Sequence, residues 1–118
     1  RKTLPAVSVA VVRGDSILLV KRARPPSQGL YAFPGGKVEG DETPEQCLIR
    51  ELHEEIGIET EIPCLAPLTF ASHSYDDFHL LMPLFVCRRF RGIAQPREGQ
   101  ALKWVRPKQM RDYPMPRK

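Results

Sequence analysis

Glu51, Glu54 and Glu55 follow one another at i, i+3 and i+4 in the segment Arg50-Glu51-Leu52-His53-Glu54-Glu55. If that segment is helical, the three carboxylates share an arc of about 100°. Like charges at this spacing destabilise a helix by roughly 0.2–0.5 kcal/mol per pair. A sequence shaped by folding alone would interleave lysine here. The repulsion disappears once a divalent cation sits among the carboxylates, and Mg²⁺ favours one or two protein carboxylates together with phosphate oxygens. A solvated acidic helix face is the bland reading of the same three residues, and charge runs are usually that.

The distribution of charge adds to the first reading. The 118 residues carry 18 basic and 14 acidic side chains, a net charge of +4. Nine of the fourteen acids lie between Glu39 and Glu61, where Arg50 is the only Lys or Arg. From Arg88 to Lys118 ten bases face only Glu98 and Asp112. An acidic cluster inside a basic chain is what a metal site facing a polyphosphate needs. A basic balance also suits a nucleic-acid binder, and Arg88, Arg89, Arg91, Arg97 and Lys103 would form its surface. No aromatic motif of an RNA-binding fold is interleaved with them, so no stable nucleic-acid partner is expected.

Other chemistries have little support. There is no G-x-S-x-G, no P-loop and no G-x-G-x-x-G. His73 and His79 have no Cys or Asp at metal-ligand spacing, and His53 points away from the glutamate arc. Cys47, Cys64 and Cys87 are odd in number and widely spaced, which reads as reduced, buried thiols in a cytoplasmic protein. No apolar run approaches the roughly 20 residues that cross a bilayer, and no apolar h-region follows Arg1–Pro5.

The glutamates need a helix to hold them, and its boundaries are written locally. Thr43 is a good N-cap, Pro44 suits the first helical position and Gln46 completes a capping box. Leu48, Leu52 and Ile56 form a stripe at i, i+4 and i+8, and Gly57 is placed to end the helix left-handed. Upstream, Pro5–Val12 and Ile17–Val20 read as two strands joined by a Gly14-Asp15 turn. Lys21–Tyr31 reads as a loop, and Tyr31-Ala32-Phe33 runs into a sharp turn at Pro34-Gly35-Gly36. Ile58–Ala71, Phe78–Phe90 and Ala101–Val105 read as further strands, with a short helix from Pro107 to about Asp112. One domain over residues 1–118 is expected.

The spacing around the glutamates carries a resemblance. Gly36, five residues, Glu42, seven residues, then Arg50-Glu51-Leu52-x-Glu54-Glu55-x-Gly57-Ile58 resembles the Nudix box at all nine defined positions over 23 residues. The lead-in Phe33-Pro34-Gly35-Gly36-Lys37 is similar to the MutT-like branch, and weaker similarity continues through His79, Arg97–Gln100, Trp104-Val105 and Tyr113-Pro114. The resemblance implies a Nudix-type α/β/α sandwich with a mixed β-sheet and a catalytic loop–helix–loop. It implies Mg²⁺, with Mn²⁺ as substitute, and hydrolysis of a nucleoside diphosphate linked to another group. By position, Glu51, Glu54, Glu55 and the Gly36 carbonyl would hold metal. Arg50 would orient those carboxylates, Glu42 would brace the loop, and Glu98 would be a further ligand or the base. Arg22 and Arg24 stand where similar enzymes contact phosphate.

On substrate, the short chain favours a small nucleotide bound in a pocket, acting as monomer or homodimer. The resemblance puts Phe33 and Tyr75 beside the nucleobase. Two departures bear on this. The polar Asn or Asp that follows the C-terminal proline motif in MutT-like enzymes is not found after Tyr113-Pro114-Met115-Pro116. Tyr75 lies 17 residues beyond the box, a spacing associated with diadenosine polyphosphate hydrolases, while His73 replaces the proline of ADP-ribose hydrolases. An oxidised-guanine or related (d)NTP pyrophosphohydrolase ranks first, and a dinucleoside polyphosphate hydrolase second.

Overall fold

Hydrophobic alternation in the first strand organises the molecule. In the computed structural model, which describes residues 2–23 and 28–115, β1 (Lys2–Arg13) sends Val7, Val9 and Val11 to one face, where they are buried. The turn at Gly14-Asp15 leads to β2 (Ser16–Lys21), antiparallel to β1 as expected. Two short strands follow, β3 (Tyr31–Ala32) on β2 and β4 (Gly35–Lys37) on β1. After helix α1 (Pro44–Ile56) come β5 (Leu65–Ser74), β6 (Phe78–Cys87) and β7 (Ala101–Val105).

The seven strands form one mixed sheet with the path β3-β2-β1-β6-β5, with β4 also on β1 and β7 on β2. The β1–β6 pairing is parallel, with Val9 opposite Phe85. α1 lies against β1 and β4 and buries the stripe Leu48, Leu52 and Ile56 together with Cys47. These join Val7, Val9, Val11, Leu18, Ile58, Leu65, Phe85 and Cys87 in one core. Full burial of each large aliphatic contributes about 1.5–3 kcal/mol, so Leu52 fixes the helix to the sheet more firmly than any surface pair.

The mixed α/β class and the loop–helix–loop over 36–58 match the sequence reading. The 107–112 helix forms as a 3₁₀ helix, so α1 is the single α-helix among the described residues. The segment read as one strand from Ile58 to Ala71 is broken. Glu59 makes an isolated bridge to Arg91, Ile62–Cys64 is a 3₁₀ turn containing Pro63, and only then does β5 begin. A bulge between Pro67 and Thr69 shifts its register on β6. Both irregularities fall at prolines, which cannot donate to a ladder. Cys47 and Cys87 are buried free thiols and Cys64 is half-buried. Burial pushes the Cys47 thiol up to about 11.

Candidate active site

The glutamate helix begins with both halves of the capping box: the Gln46 N–H donates to Thr43 Oγ1 at 3.1 Å and the Thr43 N–H to Gln46 Oε1 at 2.9 Å. It ends at Gly57, whose φ of 73° is left-handed. This fixes the phase of Glu51, Glu54 and Glu55 relative to the buried stripe.

The turn before the helix comes up against those carboxylates. Gly35 has φ 154°, and a Cβ there would stand 2.8 Å from Ser8 Cα. A Cβ on Gly36 would stand 2.5 Å from Glu51 Cδ. At Gly35 the obstacle is the β1 backbone, so only glycine fits there; at Gly36 a side chain would displace the Glu51 carboxylate. The Gly35 N–H donates to Glu55 Oε1 at 3.2 Å.

Arg50 organises one side of the cluster. Its Nε and Nη2 donate to the two oxygens of Glu42 at 2.6 and 3.0 Å, a bidentate pair. Its Nη1 reaches Glu54 Oε1 at 3.1 Å and Glu51 Oε2 at 3.4 Å, and Nη2 also donates to the Lys37 carbonyl at 3.2 Å. The Arg50 hydrogen bonds, helped by the Glu39 N–H, pull the Glu42 carboxyl down to about 2. Glu42 thus ties loop to helix.

The other side is short of counter-charge. Burial, with Glu51 and then Glu98 close by, pushes Glu55 up to about 7 against the Gly35 N–H and Arg22, which favour its charged form. Glu51 is also raised, again chiefly by burial, with Arg50 opposing. Glu55 forms part of the wall of a cleft of about 280 Å³ whose other contributors include Arg22, Phe33, Gly35, Gly36, Glu98 and Gln100.

Of the residues singled out in the sequence, the structure therefore gathers Arg22, Phe33, Gly36, Glu55 and Glu98 around one cleft, with Glu51 against Gly36. Glu54, more exposed, is held toward Arg50. Tyr75 is not brought there: it stands between β5 and β6, stacked on Phe78 at 4.8 Å and edge-on to His73 at 4.6 Å. Arg24 lies outside the described residues. Sequence reasoning misses Gln100, which is buried in the cleft wall with both ends of its amide hydrogen-bonded.

Comparison with known proteins identifies the family. The model of the NUDIX domain family matches residues 2–118. The chain belongs to the Nudix family. It is 37% identical over 117 residues to a CTP pyrophosphohydrolase of Escherichia coli K12, covering 97% of this chain and 84% of that one. It is 31% identical over 102 residues to an 8-oxo-dGTP diphosphatase of the same organism, covering 84% and 78%. Among solved structures, a MutT NUDIX hydrolase from Burkholderia pseudomallei superposes with a TM-score of 0.83 at 29% identity, covering 100% of this chain and 90% of that one. This Nudix protein is thus a hydrolase of phosphoanhydride bonds.

Nudix hydrolases work with divalent cations, and the donor chemistry here fits one. Hard carboxylate oxygens of Glu51 and Glu55 meet beside a backbone turn that has no side chain to fill the space. Among the described residues, no three carboxylate, imidazole or thiol groups converge on one point as they stand. The cause is visible: Arg50 draws Glu51 and Glu54 to itself while Glu55 turns to the Gly35 N–H. No helix of the described chain is long and apolar enough to cross a membrane.

Proposed function

We propose that the chain hydrolyses a nucleoside triphosphate to the monophosphate and pyrophosphate with Mg²⁺, Mn²⁺ being a substitute. The observation that carries this reading is the half-buried, under-compensated Glu55 carboxylate in the wall of the cleft, beside the Gly35–Gly36 turn and in the company of Glu98 and Arg22. Burial of a carboxylate among like charges is a cost that a cation-dependent site recovers on loading.

Glu51, Glu54, Glu55 and the Gly36 carbonyl would hold the cation. When bound, it would neutralise charge on the phosphate oxygens and activate water for in-line displacement. The chain's own residues do the remainder. Arg50, paired to Glu42, fixes the helix against the loop and limits the positions Glu51 and Glu54 can take. Glu98 accepts the proton of the attacking water or completes the ligand set. Arg22 meets a phosphate as a charge-assisted donor, and Arg24, two residues on, is proposed for the same work. Phe33 offers a ring for the base, since the turn that follows it leads directly to Gly36.

The names of the relatives support a triphosphate and leave the base to experiment: one acts on CTP, the other on 8-oxo-dGTP. A panel of CTP, dCTP, dGTP, 8-oxo-dGTP and diadenosine tetraphosphate with Mg²⁺ tests the proposal. Pyrophosphate release from one of the triphosphates is the expected result. Cleavage of diadenosine tetraphosphate alone, or phosphate as sole inorganic product, would overturn it.

A further inference from the structure

The last turn of any α-helix leaves carbonyls without partners inside the helix. In α1 several of them accept from the segment leading to β7, while the Gly57 N–H also caps His53 O. The Gln95 N–H donates to Ile56 O at 2.9 Å, the Arg97 N–H to Glu55 O at 3.0 Å, and Arg97 Nη1 to His53 O at 3.3 Å. The Arg97 guanidinium lies over Gly57, where a Cβ would meet its Nε at 2.8 Å. These bonds dock the segment on the helix end. None of them bonds Glu98 itself, which is exposed on a bend.

Gln100 does. It is 8% exposed, and both ends of its amide are occupied. Nε2 donates to the Glu55 carbonyl at 2.9 Å, and Oε1 accepts the Glu98 N–H at 2.7 Å. One residue, Glu55, therefore sends its carboxylate to the cleft and its carbonyl to Gln100. Gln100 in turn holds the backbone of the opposing acid, Glu98, in the same cleft. We infer that Gln100 is a positioning residue, a clamp that sets where the Glu98 carboxylate stands relative to Glu55. A primary amide is the one side chain of this length with a donor at one end and an acceptor at the other. Glutamate keeps the acceptor, loses the donor and adds a charge beside two others. Methionine keeps the shape and loses both bonds.

The inference rests on the reading of Glu98 as part of the reacting centre, and the test separates the two. Gln100→Met should lower kcat by roughly 10²-fold, the scale of a misplacement near 1 Å, with KM little changed. Since Glu55 O still accepts the Arg97 N–H, thermal stability should fall little. The decisive readout is coupling: Glu98→Gln with Gln100→Met should be no slower than Glu98→Gln alone, because the clamp acts through Glu98. Exchange of the Glu98 amide hydrogen should quicken in Gln100→Met, a signal independent of turnover. Wild-type kcat in Gln100→Met, additive losses in the double variant, or an unchanged exchange rate would each overturn the clamp while Glu98 keeps its role. Wild-type kcat in Glu98→Gln would instead remove the role of Glu98, and the clamp's catalytic purpose with it.

Discussion

At the Glu42 end of the carboxylate cluster every acid faces a guanidinium, whereas at the Glu55 end, among the described residues, no ion pair forms. Glu42 is pulled down to about 2 by Arg50, and Glu55 is pushed up to about 7 by burial and by Glu51. Both belong to the same loop–helix unit. They differ in burial first and in partner supply second. One end is satisfied and holds the loop to the helix; at the other, Arg22 offsets Glu55 without forming an ion pair with it. The paired end thus lies where the loop meets the start of the helix, and the unpaired end in its last turn.

The largest effect that should separate the two ends is on turnover. Glu55→Gln should lower kcat by about 10²-fold or more, the loss expected of a metal ligand, while melting without metal stays level or rises as a buried like charge is removed. Parallel losses of activity and stability would break the comparison. Next is Arg50→Met, which keeps the aliphatic stem and leaves Glu42, Glu51 and Glu54 without their donor. Denaturation in EDTA should show a loss of roughly 1–3 kcal/mol; melting like wild type would mean that the Glu42 end is not structural.

A smaller effect concerns which aromatic belongs to the cleft end. Phe33→Ala should raise KM roughly tenfold with kcat less affected, because stacking acts alike on ground and transition states. Tyr75→Ala, packed on Phe78 away from the cleft, should change KM by less than about twofold on the same stacking scale. Reversal of those two values in steady-state kinetics would relocate the base.

The smallest signal is the pH dependence of stability in EDTA. Glu55, with its folded value of about 7 above the ordinary 4.5, binds its proton first in the native state, so its contribution grows as pH falls from 7 toward 4.5. Glu42 works oppositely: its contribution is full above 4.5 and is lost as pH falls toward 2. Subtracting the Glu55→Gln profile should isolate the first arm and subtracting Glu42→Gln the second. A flat difference in either case would remove that end's electrostatic assignment.

What was legible in the sequence followed the range of the signals. The capping box at Thr43 and Gln46, the stop at Gly57, the turn at Gly14-Asp15 and the bounds of β7 depend on neighbours, and all appear as read. The glycine turn was read as a turn, but not as the strand β4 paired to β1. That pairing joins Val7 to Gly36 and is set by backbone across a long loop, which side-chain alternation does not encode. The parallel β1–β6 pairing was invisible for the same reason. In the candidate site, helical spacing makes the mutual placement of Glu51, Glu54 and Glu55 legible, and the family resemblance adds Arg50 beside them. Gln100 was not, since a lone polar residue ahead of a strand has no period, and its two bonds come from a helix 45 positions away and a loop two away. The signal that could have found it is its place beside Glu98 in Arg97-Glu98-Gly99-Gln100.

The central claim is that the unpaired end of the cluster is built to receive a divalent cation. Titration of Mn²⁺ into the metal-free protein, followed by the loss of its electron paramagnetic resonance signal, tests that without any assumption about substrate. The account predicts saturable binding to the wild-type chain, weakened roughly tenfold or more in Glu55→Gln. Equal Mn²⁺ affinity in wild type and Glu55→Gln would contradict it.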